Sequence, residues 1–144
     1  RRTLPGRPLR DGTGSVQALI ADKATGIATL RVFDAAADLV WQRRVRFPAS
    51  LVSLLMLDSD RAGRVYLAAH IAIEGSTPPF ELSGERIVVV RLDQRTGADL
   101  GAIQIPAPAS ADESLRPLSV GDDGTVFQML AGQGVVEIQA HVFP

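Results

Sequence analysis

The chain has 144 residues, of which 46% are hydrophobic and 22% charged, so it fits one globular domain and is too apolar for a disordered tail. Fifteen basic and sixteen acidic residues give a formal net charge of -1, which argues against a polycationic nucleic-acid binder. The lack of cysteine excludes disulfides and thiolate metal sites, and no apolar stretch approaches the roughly 20 residues that a membrane-spanning helix needs.

Arginine replaces lysine almost completely, since Lys23 is the single lysine among the fifteen basic residues. This bias, together with frequent alanine, glycine, valine and leucine, is typical of GC-rich bacterial genomes. The chain begins with Arg1 and not with methionine. We therefore expect it to be a processed product or a part of a longer bacterial polypeptide.

The pattern of residue types along the chain predicts an irregular arm over residues 1–12 and one all-β domain over residues 13–144. Three apolar runs, 14–20, 63–73 and 124–131, each follow an acidic turn and begin at a glycine. This punctuation is typical of strands that start after a tight turn. We divide the domain into repeat-like units at about 13–50, 51–107 and 113–144, with insertions at 74–85 and 107–113.

Alternation of apolar and polar residues supports the prediction of strands. Residues 65–73 and 136–142 follow a period of two, as half-buried strands do, and residues 87–90 are continuously apolar, as in a strand buried on both faces. Residues 35–46 and 50–57 also fit a helical pattern. The repeat pattern predicts strands in both segments. Two long helices there would weaken the interpretation of the chain as a repeat.

Two segments resemble the repeats of bacterial extracytoplasmic β-propellers of the SBBP kind: DRAGRVYLA at 60–68 and GERIVVVRLD at 84–93. The segment LDQRTG at 92–97 is similar to the Leu-Asp-x-x-Thr-Gly-x-x-x-Trp core of quinoprotein propeller repeats. Trp41 approximates that tryptophan in the first unit, and Gly101 stands in its place in the second. The resemblance implies antiparallel four-stranded blades and a periplasmic or cell-surface location. The alternative fold is a closed β-sandwich of about ten strands.

Three units are too few for a propeller, which has at least four blades. The resemblance therefore implies an incomplete arc with open sheet edges, which invite further pairing. We expect a protein partner: the rest of the same polypeptide, a second copy or another subunit. The contact is expected at the terminal strands, with Val136, Ile138 and Val142 meeting apolar neighbours.

Candidate metal ligands are few. Asp58 and Asp60 precede Gly63 as in a calcium loop, but with only two carboxylates and Arg61 between them a capped turn is the better interpretation. His70 and His141 lie on separate predicted strands without metal-ligand spacing. No phosphate loop, zinc-protease motif or nucleophile elbow occurs in the sequence, so no catalytic residue and no cofactor is predicted.

Trp41 lies close to Arg43 and Arg44, and stacking plus charge would suit an acidic ligand. The alternative is a tryptophan packed between blades beside a solvated arginine strand. Two functions therefore remain. The first is a noncatalytic protein-binding or scaffold module of an extracytoplasmic bacterial assembly. The second is a part of a propeller-type enzyme, a quinoprotein or a glycan-active relative, whose catalytic residues lie outside this chain.

Overall fold

The computed structural model describes residues 3–106, 114–115, 118–132 and 134–144, which contain twelve strands and no helix. This confirms the all-β class. Sheet 1 consists of β1 (Arg7–Pro8), β2 (Gly14–Asp22), β3 (Ile27–Asp34) and β4 (Leu39–Arg46). Sheet 2 consists of β5 (Ser50–Ser59), β6 (Arg64–Glu74), β7 (Leu82–Asp93) and β8 (Asp99–Pro106). Sheet 3 consists of β9 (Ser114–Leu115), β10 (Ser119–Val120), β11 (Val126–Gly132) and β12 (Val135–His141).

All strand pairs are antiparallel, and sheets 1 and 2 follow chain order from one edge to the other. In sheet 3, β9 and β10 both pair with β11, and β12 also pairs with β11. The insertion expected at 74–85 forms the far end of the β6–β7 hairpin. The insertion expected at 107–113 lies outside the described residues.

Neither helix-compatible segment forms a helix. Residues 39–46 form β4, and residues 50–57 belong to β5, whose register shifts twice, between Leu51 and Ser53 and between Leu54 and Met56. A bulge inserts one residue and so reverses the alternation of faces. Two bulges therefore give the leucines of β5 a spacing that looks helical in sequence.

The segment 1–12, which the sequence predicts to be an irregular arm, contains β1, and this corrects the prediction. Arg7 pairs with Val16 and Pro8 with Ser15 at the edge of sheet 1. Gly6 lies so close to β2 that a Cβ atom there would be 2.1 Å from the carbonyl oxygen of Val16. A residue without a side chain is required at this position for the close approach.

The three sheets stack in chain order around two hydrophobic cores. One core joins sheets 1 and 2, and the other joins sheets 2 and 3. Sheet 2 is therefore the middle layer and is covered on both sides. The prediction that residues 65–73 form a half-buried strand is wrong for this reason, because Tyr66 and Ala68 are as fully buried as Val65 and Leu67. Three layers with two cores also differ from the two layers of a sandwich.

Corresponding positions of the sheets are defined by the first turn of each. The amide of Leu9 donates to the carbonyl of Gly14 at 2.8 Å, and the same contact joins Asp60 to Arg64 and Gly121 to Thr125. Two residues after Gly14, Arg64 and Thr125 stand Val16, Tyr66 and Phe127. We call the faces that carry these three residues the fronts of the sheets, and the opposite faces the backs.

Both described interfaces between sheets place a front on a back. Val16 on the front of sheet 1 shares a core with Val65 on the back of sheet 2. Tyr66 on the front of sheet 2 shares a core with Val126 on the back of sheet 3. The front of sheet 3 and the back of sheet 1 have no described sheet against them.

Candidate functional site

The front of sheet 3 is an exposed apolar surface, which we call the terminal face. The register places Met129 opposite Ile138 and Phe127 opposite Ala140 on this face. Its large apolar side chains are 38% to 73% exposed: Phe127, Met129, Val136, Ile138 and Val142. Contiguous exposed apolar surface of this kind marks interaction sites in soluble proteins.

The terminal face corresponds position by position to surfaces that are buried elsewhere in the chain. The counterparts of Phe127 on sheets 1 and 2 are Val16 and Tyr66, both fully buried. The counterparts of Ile138 are Leu30 and Val89, which face Ala18 and Ala68 as Ile138 faces Met129. Both are 0% exposed, whereas Ile138 is 64% exposed. The terminal face therefore has the composition of an interface between sheets.

The polar side of β11 and β12 faces sheet 2. Gln128 is 1% exposed, and its Nε2 donates to the carbonyl of Pro106 in sheet 2 at 3.2 Å. The ring Nε2 of His141 lies 3.0 Å from Oε1 of Gln128. These contacts join Gln128 to sheet 2 and to His141, whereas the apolar side of 136–142 is exposed to solvent.

Asp58 and Asp60, the weak candidates for metal ligands, are engaged by arginines. Arg10 reaches both carboxylate oxygens of Asp58 at 3.2 and 3.3 Å. Its other nitrogen donates to the carbonyl of Val120 at 2.8 Å and approaches Asp122 at 3.4 Å. Arg10 therefore ties sheet 1 to sheets 2 and 3.

Asp60 is fully buried in the turn between β5 and β6 and accepts four hydrogen bonds. Its Oδ2 accepts from Nε of Arg64 and from the hydroxyl of Tyr66, both at 2.6 Å, and its Oδ1 accepts from the amides of Ala62 and Arg64. A carboxylate with these donors caps its own turn and pairs with a cation. Neither aspartate presents free oxygens to a metal ion, and no group of three possible ligands occurs among the described residues.

Burial and the neighbouring Asp60 carboxylate raise the pKa of Tyr66 to about 12. The native state therefore favours the neutral phenol of Tyr66 over the phenolate. The resulting contribution to the free energy of unfolding is complete below the ordinary tyrosine pKa of about 10. It is lost as the pH rises from about 10 through 12. We expect the free energy of unfolding to fall across that range by on the order of 2 to 3 kcal/mol from this residue. Denaturation of Tyr66→Phe at the same pH values is the control, and an unchanged pH slope in the variant would contradict the assignment.

Trp41 and Arg43 connect sheet 1 to the β7–β8 turn of sheet 2. The indole nitrogen of Trp41 donates to the carbonyl of Gln94 at 2.7 Å, and Arg43 donates to the carbonyl of Gly97. A Cβ atom at Gly97 would lie 3.0 Å from the indole ring, so the ring covers this glycine. Trp41 is half-buried between the sheets. It packs against the core that joins sheets 1 and 2.

Arg44 occupies the next position of β4 and therefore belongs to the opposite face of sheet 1. The structure thus brings together Trp41 and Arg43 but not Arg44, and the three do not form one binding platform. An open groove of about 550 Å³ lies between β4 and β8 beside Arg43. Its lining combines apolar residues with charged ones, which include Arg44, Arg46 and Asp99.

The junction of sheets 1 and 2 is reinforced by Gln94, which is 6% exposed. Its side-chain nitrogen donates to Asp11 at 2.8 Å and to the hydroxyl of Thr13 at 3.1 Å. Burial acts to raise the pKa of Asp11, but hydrogen bonds from Thr13 and Gln94 outweigh it and lower the pKa. The first turn of sheet 1 is therefore held against sheet 2 by polar contacts.

Gly101, which stands in the second predicted unit where the first has Trp41, lies near the ring of Phe143. Phe143 packs edge-on against Tyr66 with ring centroids 5.7 Å apart, and the guanidinium of Arg91 lies 4.3 Å from its centroid. A Cβ atom at Gly101 would lie 3.9 Å from the ring of Phe143. Trp41 therefore contacts the turn at 94–97 at one interface, and Phe143 packs near Gly101 and Tyr66 at the other.

The two histidines lie in different sheets with different contacts. Nε2 of His70 in β6 is 3.1 Å from a carboxylate oxygen of Glu85, whereas His141 in β12 contacts Gln128. They do not form a ligand pair.

Sequence reasoning identified Val136, Ile138 and Val142 but missed Phe127 and Met129, which complete the terminal face. The alternation Phe127, Met129 along β11 was visible. Its meaning depends on the register with β12, which a single sequence does not display.

No family model, no curated protein and no solved structure matches the chain. Among the described residues there is also no long apolar helix of the kind that spans a bilayer.

Proposed function

We propose that this chain is a noncatalytic protein-binding module of an extracytoplasmic bacterial assembly, and that it docks another antiparallel β-sheet on the terminal face. The proposal is carried by one observation: Phe127 and Ile138 are exposed at positions whose counterparts in sheets 1 and 2 are fully buried. Each large apolar side chain that becomes buried contributes about 1.5–3 kcal/mol, so several of them favour stable association.

A sheet suits this face better than a helix or a single peptide. Both interfaces within the chain are formed by one sheet on another, and the terminal face repeats their residue pattern. It extends over two neighbouring strands, β11 and β12, and includes Val142 beyond the end of β12. The partner we propose presents a back face of mainly apolar side chains at the usual sheet spacing of about 10 Å.

The docked sheet would extend an incomplete β-propeller. Support comes from three successive antiparallel sheets with equivalent first turns, and from contacts that bring β2 and β10 close to β5. Propellers arrange four or more such blades around an axis, so further sheets are required for closure. The proposed role is therefore that of an arc that is completed by a protein partner.

Photochemical cross-linking in the cells that make the protein tests this function. A benzophenone side chain at position 138 is expected to join the chain to one defined protein segment, mapped by mass spectrometry to a strand of a β-sheet. The matched control is position 73, because Ile73 is 58% exposed but belongs to the middle sheet. Equal products at both positions, or none at position 138, would reject the terminal face as a docking site.

A further inference from the structure

We propose that the outer edge of β4 is a second binding site, which takes an extended acidic segment of another protein as an added antiparallel strand. It lies on different strands from the terminal face. The segment alternates acidic and apolar side chains. Its carboxylates pair with Arg44 and Arg46, and its apolar side chains enter the open groove between β4 and β8.

The backbone of β4 has unpaired groups along one side. Among the described strands, β4 pairs only with β3, so it forms the outer edge of sheet 1. The amide of Phe47 donates to the carbonyl of Gly26 in the same register at 2.7 Å. Hydrogen-bonded positions alternate along an antiparallel pair, so Arg46 and Arg44 direct their amides and carbonyls away from β3. A row of such groups is a template for an added strand.

The groove beside β4 has an excess of positive charge. Its lining includes Arg43, Arg44 and Arg46, and the carboxylate of Asp99 is the single acidic group among the described lining residues. Arg43 donates to the carbonyl of Gly97, which carries no full charge. Within the described part of the chain, the exposed side chains of Arg44 and Arg46 take part in no hydrogen bond or ion pair. An acidic occupant complements this charge.

The positive charge is specific to β4 and is not a general feature of the outer strands. Charged side chains and proline both protect sheet edges from unwanted pairing. In β8, the outer strand of sheet 2, the register places Gln104 at the position of Arg44. It places Pro106, which has no amide to donate, at the position of Arg46. The edge of β8 is therefore uncharged at these positions and interrupted, whereas that of β4 is charged and contains no proline.

The groove provides room for the apolar side of an added strand. It has a volume of about 550 Å³ and follows residues 43–48, which is about 20 Å of extended chain. Residues from both faces of β4 line it, so it runs along the edge of this strand. Half-buried Val90 and Ile103 form apolar parts of its wall. Because side chains of a strand alternate between faces, every second residue of the segment meets this wall.

A polypeptide fits this edge better than an anionic polysaccharide. The backbone of an added strand pairs with the free amides and carbonyls of Arg44 and Arg46, and acidic residues two positions apart have the same spacing as the two arginines. Opposite charges on facing positions of neighbouring strands stabilise the pairing. A polysaccharide supplies carboxylates but not the repeat of backbone donors and acceptors.

Fluorescence anisotropy of a short dye-labelled peptide of alternating glutamate and valine tests the site on the full chain. We expect saturable binding that weakens as salt is added, since salt screens exposed charges. Arg44→Gln and Arg46→Gln are each expected to raise the dissociation constant by about 5-fold, and the double variant by about 25-fold, through the loss of cross-strand ion pairs. Arg61→Gln, which removes an exposed arginine of the β5–β6 turn, should bind like the unmodified chain.

Charge reversal shows that a loss of binding does not come from misfolding. The double variant Arg44→Glu, Arg46→Glu is expected to lose the glutamate peptide and to bind a peptide of alternating lysine and valine, which the unmodified chain does not bind. Circular dichroism verifies that the variant is folded. A folded variant that binds neither peptide would contradict the assignment of these two arginines.

Methylated peptides separate strand addition from simple attraction of charges. In the proposed antiparallel pairing, the glutamate amides point towards β4 and the valine amides point away from it. Methyl groups on the glutamate nitrogens are therefore expected to weaken binding by about 10-fold or more, whereas methyl groups on the valine nitrogens leave it nearly unchanged. Equal binding of the two methylated peptides overturns the added strand.

Two further outcomes overturn the proposal. The first is that a labelled oligogalacturonate with the same number of carboxylates binds more tightly than the peptide and is lost in Arg44→Gln, Arg46→Gln; the occupant is then an anionic glycan. The second is that the glutamate peptide does not bind the unmodified chain. Neither outcome bears on the cross-link from position 138, because the terminal face is unchanged in every variant.

Discussion

Replacing Arg10 by alanine is expected to lower the free energy of unfolding by about 3–5 kcal/mol, the cost of leaving a buried charge without its partner. The side chain of Asp58 is 6% exposed, and Arg10 contacts both of its oxygens. Arg7, which lies 3.6 Å from Asp58 and is largely exposed, remains as a weaker, solvent-screened partner of this carboxylate. Urea denaturation followed by fluorescence of the single tryptophan measures the effect.

Arg61 provides the matched control for this substitution. It contacts Asp122 at 3.6 Å with 72% of its side chain exposed, and surface pairs of this kind contribute about 0–1 kcal/mol. Arg61→Ala should therefore be close to neutral. If Arg10→Ala were equally neutral, the ion pair that bridges the sheets would have no role in holding them together. The double variant Arg10→Ala, Asp58→Asn should recover part of the loss, because the unpaired charge is removed.

Removing the indole is expected to have the second-largest effect: Trp41→Ala should destabilise the protein by about 3 kcal/mol. This is the lower end of the range for aromatic truncation, since the side chain is half-buried. The loss has two parts, the packing over Gly97 and the hydrogen bond to the carbonyl of Gln94. Thermal or urea denaturation followed by circular dichroism measures it without relying on tryptophan fluorescence.

Trp41→Phe separates the two parts. It keeps most of the ring contact and loses the N–H donor, so about 1 kcal/mol of destabilisation is expected. A tryptophan that serves as a ligand platform would behave differently: Trp41→Ala would then leave stability unchanged and abolish binding of an acidic ligand. That result would contradict the packing role.

The repeat of turns was predictable because turn chemistry is local. Asp34 and Asp93 each accept amide hydrogen bonds from the residues that follow them, and each turn ends a strand at the predicted place. Gly97 adopts φ of +76°, which favours glycine at the end of its turn. These features depend on a few adjacent residues. They were therefore visible in the sequence, as was the all-β class.

Which face of β12 points towards the core was not predictable in the same way. Alternation in residues 136–142 separates an apolar side from a polar side, and apolar residues ordinarily face a core. The structure turns Gln139 and His141 inward instead, because Gln128 supplies His141 with a hydrogen-bond partner and bonds to Pro106. The apolar side, with Ile138, remains exposed. Which face is covered depends on the neighbouring layer and not on the strand.

The two aspartates that were candidates for metal ligands show the same limit of prediction from sequence. From spacing alone, Asp58 and Asp60 favour a capped turn over a cation site, but the partner of Asp58, Arg10, lies 48 positions before it and was not visible in the sequence. A contact over that distance depends on how the sheets stack.

The sequence by itself indicated the all-β class, most of the strands and the repeated turns but not β1, because backbone preferences and side-chain alternation act over a few residues. Only the tertiary structure decided that sheet 2 is covered on both sides, that Arg10 joins three sheets and that Phe127 and Ile138 lie on a free face. The physical reason is that the backbone geometry of a strand is the same towards both of its faces, so either face can be the buried one. Burial of either face depends on the order in which whole sheets pack, and that order is set by contacts between residues far apart in the chain.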